Sequence, residues 1–178
     1  MVDNLQSMSV ILLGYRGSGK TTVGRKLADR LWQKFVDTDD LIVKAAGRSI
    51  KEIFETSGEE PFRNLETDAV RTACALPDHV IALGGGAILR EENRKLIKDS
   101  GLKRIYLRCE PAELLKRIQS DPQTAAMRPN LTGLGGGIEE IRSLLTKREP
   151  LYREVMTAEL DVTHLSPDET MVYITRLL

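Results

Sequence analysis

A run of glycine and basic residues near the start of the chain has the composition to hold a phosphate chain. In "GYRGSGKTTVG", Gly14, Gly19, Lys20 and Thr21 match the pattern G-x-x-x-x-G-K-[ST] at every fixed position. Glycines let the backbone turn its N–H groups inward around phosphate oxygens, and a helix that begins beside them adds the positive end of its dipole. The lysine ammonium can reach the terminal phosphates, and the threonine hydroxyl can bind Mg²⁺. The motif therefore predicts a site for a nucleoside triphosphate.

Two aspartates follow the next predicted strand. The segment "VDTDD" has Asp37 and Asp39 two residues apart at the strand end, so we expect both carboxylates to lie on one face. One could hold Mg²⁺ through water while the other accepts a proton from a hydroxyl nucleophile, which is what phosphoryl transfer requires. Taken alone, such a pair is equally typical of a solvated turn. Beside a phosphate-binding loop, it favours a kinase over a nucleotide switch or a motor.

Three arginines and a triple glycine could bind an anionic substrate. Arg63, Arg128 and Arg148 each lie beside a proline or an aromatic residue, and the arginine fork suits a carboxylate or a phosphate. Taken alone, each is more typical of a surface position, and the pattern does not separate these three from the other arginines. Residues 84–86, "GGG", follow the apolar run "VIAL" and should lie at the carboxyl edge of a sheet, where ligands bind in such folds. A tight turn is the alternative there.

Short apolar runs alternate with helical patterns and provide the elements that would position these residues. Five strands are predicted, at residues 9–14, 34–39, 79–84, 104–109 and 159–163. Seven helices are predicted, at residues 19–32, 49–56, 59–75, 90–99, 111–119, 138–149 and 167–178. Ser49 and Ser166 open two of these helices with capping boxes. The alternation predicts an α/β fold, a parallel sheet with helices on both faces.

One segment lacks any periodicity. Residues 120–137 contain two prolines and four glycines, and a loop of this length in a compact domain is usually functional. We therefore expect a single domain over residues 1–178, with a loose lead-in at 1–7 and a mobile lid at 120–137.

Composition excludes several classes of partner. The 26 basic and 26 acidic side chains give a net charge of zero, which argues against nucleic acid or an anionic membrane as a partner. No stretch approaches the roughly 18 apolar residues of a membrane span. Cys74 and Cys109 form no C-x-x-C pair, so we expect two reduced thiols. These features predict a cytoplasmic protein that acts on small molecules, and we expect it to be a monomer.

Six motifs in order resemble the shikimate kinase family. They are "GYRGSGKTTVGRKLA", "FVDTDDLI", "GRSIKEIFETSGEEPFRNLE", "VIALGGGAI", "RP" and "KREPLY", and the match runs from about residue 9 to the C-terminus. The resemblance implies a three-layer P-loop kinase fold with a five-stranded parallel sheet in the order 2-3-1-4-5. It also implies an enzyme that transfers the terminal phosphate of ATP to the 3-hydroxyl of shikimate. The products would be shikimate 3-phosphate and ADP, in aromatic amino acid (chorismate) biosynthesis.

The resemblance further implies catalytic and nucleotide-binding roles. Lys20 would bind the phosphates, Asp39 would act as the base, and Arg128 would swing in on the lid to neutralise the transferring phosphoryl group. Thr21 and Asp37 would hold Mg²⁺. The ATP-binding residues would be Gly17, Ser18, Gly19, Lys20, Thr21, Thr22, Arg117, Arg128 and Pro167, with Arg117 and the turn from His164 to Pro167 packed on adenine.

The substrate-binding residues implied by the resemblance form a second set. They are Asp39, Arg63, Glu66, Gly84, Gly85, Gly86 and Arg148. Arg63 and Arg148 would clamp the shikimate carboxylate and Glu66 would steady both arginines. The three glycines would present backbone N–H groups to the ring, and Asp39 would bind its hydroxyls.

Three alternatives remain open at this stage. A gluconate-type kinase shares the phosphate loop and the small size, but it has no need of two arginines for a ring carboxylate. A regulatory nucleotide switch should carry N-K-x-D and D-x-x-G signatures, which this sequence lacks. A binding module without catalysis is the third, although every residue given a role is intact. The segment between Arg117 and Arg128 is longer than in compact family members, so the contacts of the lid are not defined.

Overall fold

The computed structural model of the protein describes residues 9–121 and 137–178. Its strands are β1 (Val10–Leu13), β2 (Lys34–Asp37), β3 (His79–Ala82), β4 (Lys103–Arg108) and β5 (Ala158–Asp161). Its helices are α1 (Lys20–Leu31), α2 (Thr38–Ala46), α3 (Ile50–Ser57), α4 (Glu59–Cys74), α5 (Glu91–Asp99), α6 (Pro111–Ser120), α7 (Ile138–Val155) and α8 (Pro167–Leu177).

The five strands form one parallel sheet in the order β2-β3-β1-β4-β5. Val10 of the central strand is in register with Val80 of β3 on one side and with Lys103 of β4 on the other. The predicted fold class and the predicted order 2-3-1-4-5 are confirmed. Because all the strands run the same way, their carboxyl ends share one edge of the sheet, and the loops that leave this edge can form a site.

The position of β1 at the centre of the sheet explains why its sequence is apolar throughout. Val10 and Leu12 pack into one core, with Leu27 of α1 among its members, while Ile11 and Leu13 pack into a second core on the opposite face. Side chains alternate across a strand, so a sheet covered by helices on both faces needs apolar residues at every position.

The predicted strand at residues 34–39 is too long, and a helix absent from the prediction follows it. β2 ends at Asp37, and α2 begins at Thr38. The Asp37 carboxylate caps this helix by accepting a hydrogen bond from the Asp39 N–H at 3.0 Å. Asp39 therefore lies in the first turn of a helix, and the premise that it shares a strand face with Asp37 is wrong.

The predicted end of the helix at residue 149 is also wrong, because α7 continues through Pro150 to Val155. A proline inside a helix loses one backbone hydrogen bond, which is why the sequence suggested a stop. Tyr152 and Val155, beyond the proline, are fully buried in the second core, and this packing holds the last turns in place.

Other boundaries agree closely with the sequence. Both predicted capping boxes are present: Ser49 accepts from the Glu52 N–H at the start of α3, and Ser166 accepts from the Glu169 N–H at the start of α8. The predicted lead-in at 1–7 lies outside the described residues, as does most of the predicted lid at 120–137. Within residues 9–121 and 137–178, no helix is long and apolar enough to cross a membrane.

Candidate active site

The glycine-rich turn after β1 has the geometry of an anion-binding loop. Gly14, Gly17 and Gly19 have φ values of +147°, +81° and +91°, a region that favours glycine. A Cβ at Gly14 would lie 2.7 Å from the Ser18 Oγ and 2.8 Å from the Leu107 carbonyl oxygen, so the position has no room for a side chain. The turn ends at the N-terminus of α1, where backbone N–H groups and the helix dipole attract an anion.

Lys20 is held across this loop by the loop's own backbone. Its Nζ donates to the Gly14 carbonyl at 2.8 Å and to the Tyr15 carbonyl at 2.9 Å, and the side chain is buried. Thr21 and Thr22, next along α1, are exposed. The ammonium is therefore already at the loop before any ligand arrives.

The two aspartates after β2 face different parts of the site. The Thr21 hydroxyl donates to the Asp37 Oδ2 at 2.9 Å, so Asp37 lies beside the phosphate loop. Asp39 points to Gly84, where an added Cβ would be only 2.7 Å from its Oδ1. The structure brings both carboxylates to the carboxyl edge of the sheet, as expected, but one serves the loop and the other faces a separate pocket.

That pocket contains every residue that the sequence assigned to substrate binding. Three apolar residues complete its wall and were missed from the sequence. The lining residues are Asp39, Ile50, Phe54, Phe62, Arg63, Glu66, Gly84, Gly85, Gly86 and Arg148. The Phe54 and Phe62 rings lie 4.5 Å apart between centroids. The only hint of them in sequence was their nearness to Ser49 and Arg63 in one continuous motif.

The three glycines of the pocket allow charged groups to approach the backbone. A Cβ at Gly84 would meet the Asp39 carboxylate, and one at Gly86 would lie 2.7 Å from the Arg63 Nη1. A Cβ at Gly85 would be 3.4 Å from both the Arg16 nitrogen and the Gly14 carbonyl oxygen, so this turn abuts the phosphate loop. The Gly84 N–H donates to the Thr38 hydroxyl at 2.9 Å. It is therefore engaged within the chain, contrary to the expectation that it faces a ligand.

Arg63 lies between two carboxylates. Its Nη1 donates to the Glu66 Oε2 at 2.7 Å, while its Nε and Nη2 donate to the Glu59 Oε1 at 3.2 and 3.0 Å. Burial alone would lower the pKa of Arg63, but Glu66 and Glu59 outweigh it and raise this pKa. Burial raises the pKa of Glu66, against the opposing effect of Arg63 and of Arg148. The pocket is thus a site in which two guanidinium groups, those of Arg63 and Arg148, lie beside two carboxylates, those of Asp39 and Glu66.

Arg148 reaches the same pocket from α7. Its Nη1 donates to the Gly85 carbonyl at 3.4 Å, and its guanidinium carbon lies 5.6 Å from the centroid of the Tyr15 ring. Within the described residues, the buried Nε of Arg148, the Nε of Arg16 and the Oγ of Ser18 have no hydrogen-bond partner. Buried polar atoms are normally satisfied, so this cluster at one edge of the sheet points to a ligand or to water.

Arg117 lies on the other side of the phosphate loop. Its Nη2 donates to the Val162 and Thr163 carbonyls at 2.9 and 3.2 Å, and its Nε donates to the Glu113 Oε1 at 2.9 Å. These bonds tie α6 to the turn that leads into Pro167, so the structure brings together the two parts expected around adenine. Arg128 lies outside the described residues.

The fold and the site define a class of protein. A parallel sheet in this order, a lysine-bearing phosphate loop after the central strand, and a carboxylate-and-arginine pocket beside it are those of a P-loop kinase that acts on a small anionic molecule.

Comparisons with known proteins narrow this class. The family model described as Shikimate kinase matches residues 16–178. A shikimate kinase of Rhodopirellula baltica is 41% identical over 172 residues, which covers 97% of this chain and 91% of that protein. The structure of shikimate kinase from Acinetobacter baumannii in complex with shikimate has a TM-score of 0.88 and 34% identity, and the match covers 96% of this chain and 92% of the other. The chain belongs to the shikimate kinase family. The predicted shikimate kinase activity in the shikimate pathway, with ATP as phosphoryl donor, is confirmed.

The gluconate-type alternative has weaker support. A gluconokinase from Sinorhizobium meliloti matches with a TM-score of 0.58 and 19% identity, over 97% of this chain and 94% of its own. At that level of identity the likeness extends to the fold alone.

Proposed function

We propose that the chain transfers the γ-phosphoryl group of ATP specifically to the 3-hydroxyl of shikimate, through the residues at the carboxyl edge of the sheet. The observation that carries this proposal is that Asp39, Arg63 and Arg148 line one pocket, and that Gly85 of the same pocket abuts the phosphate loop. A ring acid held there presents its carboxylate to two guanidinium groups and a hydroxyl to a carboxylate.

The phosphates of ATP bind at the loop between β1 and α1. The backbone N–H groups of Gly17 and Gly19 hold them together with Ser18 and the side chains of Lys20 and Thr22, and the helix dipole of α1 adds to the attraction. Lys20 exchanges its bonds to the loop carbonyls for phosphate oxygens, at low entropic cost because it is already in place.

Adenine lies beyond the loop. There it packs against Arg117 and the turn that ends at Pro167. The support is that Arg117 bonds to the carbonyl groups of that same turn.

Magnesium fits the pair formed by Thr21 and Asp37. Their side-chain oxygens are 2.9 Å apart beside the loop, and Mg²⁺ is usually held by one or two protein oxygens together with phosphates and water. In residues 9–121 and 137–178 no cluster of three His, Cys, Asp or Glu side chains could form an all-protein metal cage. When bound, the ion would neutralise phosphate charge, and these two residues would exchange their mutual hydrogen bond for it.

Arg63 and Arg148 clamp the substrate carboxylate. A planar guanidinium matches a planar carboxylate, and such charge-assisted bonds are strongest where water is excluded. Glu66 holds the Nη1 side of Arg63 in a fixed direction. Phe54 and Phe62 border the same space and would contact the apolar face of the ring.

Asp39 acts as the base. It accepts the proton of the attacking hydroxyl as that oxygen bonds to the γ-phosphorus and the bond to ADP breaks, so charge and protons balance. Arg128 neutralises the transferring group and helps to exclude water, which would otherwise compete as a nucleophile. We also propose that the chain works as a cytoplasmic, monomeric, single-domain enzyme.

A coupled assay of ADP release tests this proposal. Purified protein with ATP and Mg²⁺ should release ADP when shikimate is added, and should release little with gluconate or with no acid. Removal of Mg²⁺ by chelation should abolish the signal, and renewed Mg²⁺ should restore it. ADP release at the same rate without any acid would contradict the proposal, as would a preference for gluconate.

A further inference from the structure

Glu140 is a buried carboxylate with no part in the proposed chemistry. It lies in the first turn of α7, and none of its surface is exposed. A carboxylate removed from water is costly unless a cation compensates it. Arg16 is such a cation: its Nη2 lies 3.9 Å from the Glu140 Oε1, and its side chain is only 8% exposed.

Arg16 is part of the phosphate loop itself. It stands between Tyr15, whose carbonyl binds Lys20, and Gly17, whose φ is +81°. Its backbone nitrogen would lie 3.4 Å from a Cβ added at Gly85. A shift of the Arg16 side chain should therefore move the phosphate loop at the point where the loop meets the acid pocket.

Three charged groups, one from the phosphate loop and two from α7, act on the Tyr15 hydroxyl. Burial raises the pKa of the Tyr15 hydroxyl, Arg16 and Arg148 lower it, and Glu140 raises it further. All three groups are thus close enough to this side chain to act on it. Glu140 and Arg148 come from the same helix, two turns apart.

Helix α7 consequently touches both glycine turns. Near its start, Glu140 pairs with the phosphate loop, and further along, the Tyr152 hydroxyl donates to the Gly85 carbonyl at 2.6 Å. Ile141 and Leu145, which pack into the first core, hold the helix in place independently of the ion pair. Loss of the pair should therefore free the loop rather than detach the helix.

We propose that Glu140 is a positioning residue that holds the phosphate loop, through Arg16, at a fixed place relative to α7 and its Arg148. The inference deepens the proposed function and rests on it, since Arg148 is taken to bind the acid. The phosphate loop and Arg148 are then both held in position by α7. Loss of the Arg16–Glu140 ion pair therefore weakens the binding of nucleotide and of acid together.

A double-mutant cycle tests the pair. The variants are Glu140→Gln, Arg16→Met and the two combined. Glu139→Gln is the matched control, because Glu139 is the adjacent residue and both it and its partner Arg142, at 2.9 Å, are exposed. The Kd for ADP is measured by calorimetry, the KM for shikimate by the coupled assay, and the Tm of each variant by thermal unfolding.

Each single variant should raise the ADP Kd and the shikimate KM by about tenfold, and the double variant should also remain near tenfold, because residues that act as a pair are not additive. The control should stay within twofold of the parent. A double variant near a hundredfold would show independent effects and overturn the proposal. So would a lowered Tm with unchanged Kd and KM, because a merely structural pair would give that result.

Two further measurements keep the test decisive. If Glu140→Gln does not fold, Arg16→Lys keeps a cation beside Glu140 but loses the guanidinium fork, and it should raise the ADP Kd by about threefold or more; a value within twofold would overturn the proposal. ADP binding does not depend on which acid is the substrate. If the parent protein failed to phosphorylate shikimate, the proposed function would therefore be refuted. The Kd values of the variants for ADP would still test whether Glu140 positions the phosphate loop through Arg16.

Discussion

Two glycine-rich turns meet at the carboxyl edge of the sheet, and they use glycine for different reasons. In residues 14–19 the glycines adopt positive φ angles, so the backbone itself takes a shape that other residues resist. In residues 84–86 no glycine has a positive φ, but a side chain would collide with the Asp39 carboxylate or the Arg63 guanidinium. The first turn makes a site from backbone groups, whereas the second clears space for side chains that arrive from elsewhere.

The difference teaches which half of a site can be found in a sequence. A site made of backbone groups can be recognised from consecutive residues, because each glycine is needed at a fixed place in one turn. The acid pocket draws on α2, α3, α4 and α7 as well as the turn, so its members are separated along the chain and are joined only by the fold.

The largest effect is expected at Asp39, whose carboxylate lies against Gly84 of the second turn. Asp39→Asn removes the base but keeps the shape beside Gly84, so kcat should fall by about 10²–10⁴-fold. ADP affinity, measured by calorimetry, should stay within twofold, since the phosphate loop is unchanged. Normal turnover in this variant would remove Asp39 from the mechanism.

The second largest effect distinguishes the two arginines of the acid pocket from the phosphate loop that binds the nucleotide. Arg63→Ala or Arg148→Ala deletes a buried cation that faces the acid, so the KM for shikimate should rise by about a hundredfold, as expected for a lost charge-assisted hydrogen bond. The KM for ATP should change far less. Equal increases in both constants, from initial rates at varied ATP and shikimate, would break the distinction between the two halves.

Alanine at one glycine of each turn sharpens the comparison directly. Gly17→Ala strains a backbone with φ +81° and brings a Cβ within 3.0 Å of Ile118, so the KM for ATP should rise by about tenfold. Gly86→Ala crowds Arg63 and should raise the KM for shikimate by a similar factor. Each variant serves as the control for the other, and a reversed or common pattern would show that the turns do not have separate roles.

The smallest effect is expected at a helix cap outside both glycine-rich turns, and it serves as the reference for the other variants. Ser166→Ala removes the cap of α8 and should lower the Tm at pH 7 by about 2–4 °C with the KM for shikimate unchanged. Hydrogen bonds from Ser166 lower the pKa of Glu169 in the folded state. That contribution is present above the unfolded pKa and is lost as the pH falls, so the Tm difference from the parent should shrink in acid. A difference that grows in acid would contradict the capping account.

Much of the fold could be predicted because local patterns and tertiary structure agree. Apolar runs marked the strands, and Ser49 and Ser166 marked two helix starts that the structure confirms. Helix α2 was missed because its capping residue, Asp37, was interpreted only as a metal ligand. The extension of α7 past Pro150 depends on the burial of Tyr152 and Val155, which no local pattern reveals.

The site divides in the same way. The phosphate loop was predicted from its own motif, and the triple glycine was placed at the carboxyl edge by the strand before it. Arg63 and Arg148 were selected by resemblance, and their roles stay predictions. Glu140 and Arg16 were missed because each is an ordinary charged residue until the fold buries them together. Phe54 and Phe62 were missed because an aromatic in a helix is more often a core residue than a ligand contact.

The most direct test of the account is the position of the phosphate on the product, determined by ³¹P–¹H NMR after turnover with ATP, Mg²⁺ and shikimate. If one pocket fixes the carboxylate on two arginines and aims a single hydroxyl at Asp39, all of the transferred phosphate should be bonded through the oxygen on carbon 3. A mixture of phosphorylated hydroxyls, or inorganic phosphate alone, would contradict it.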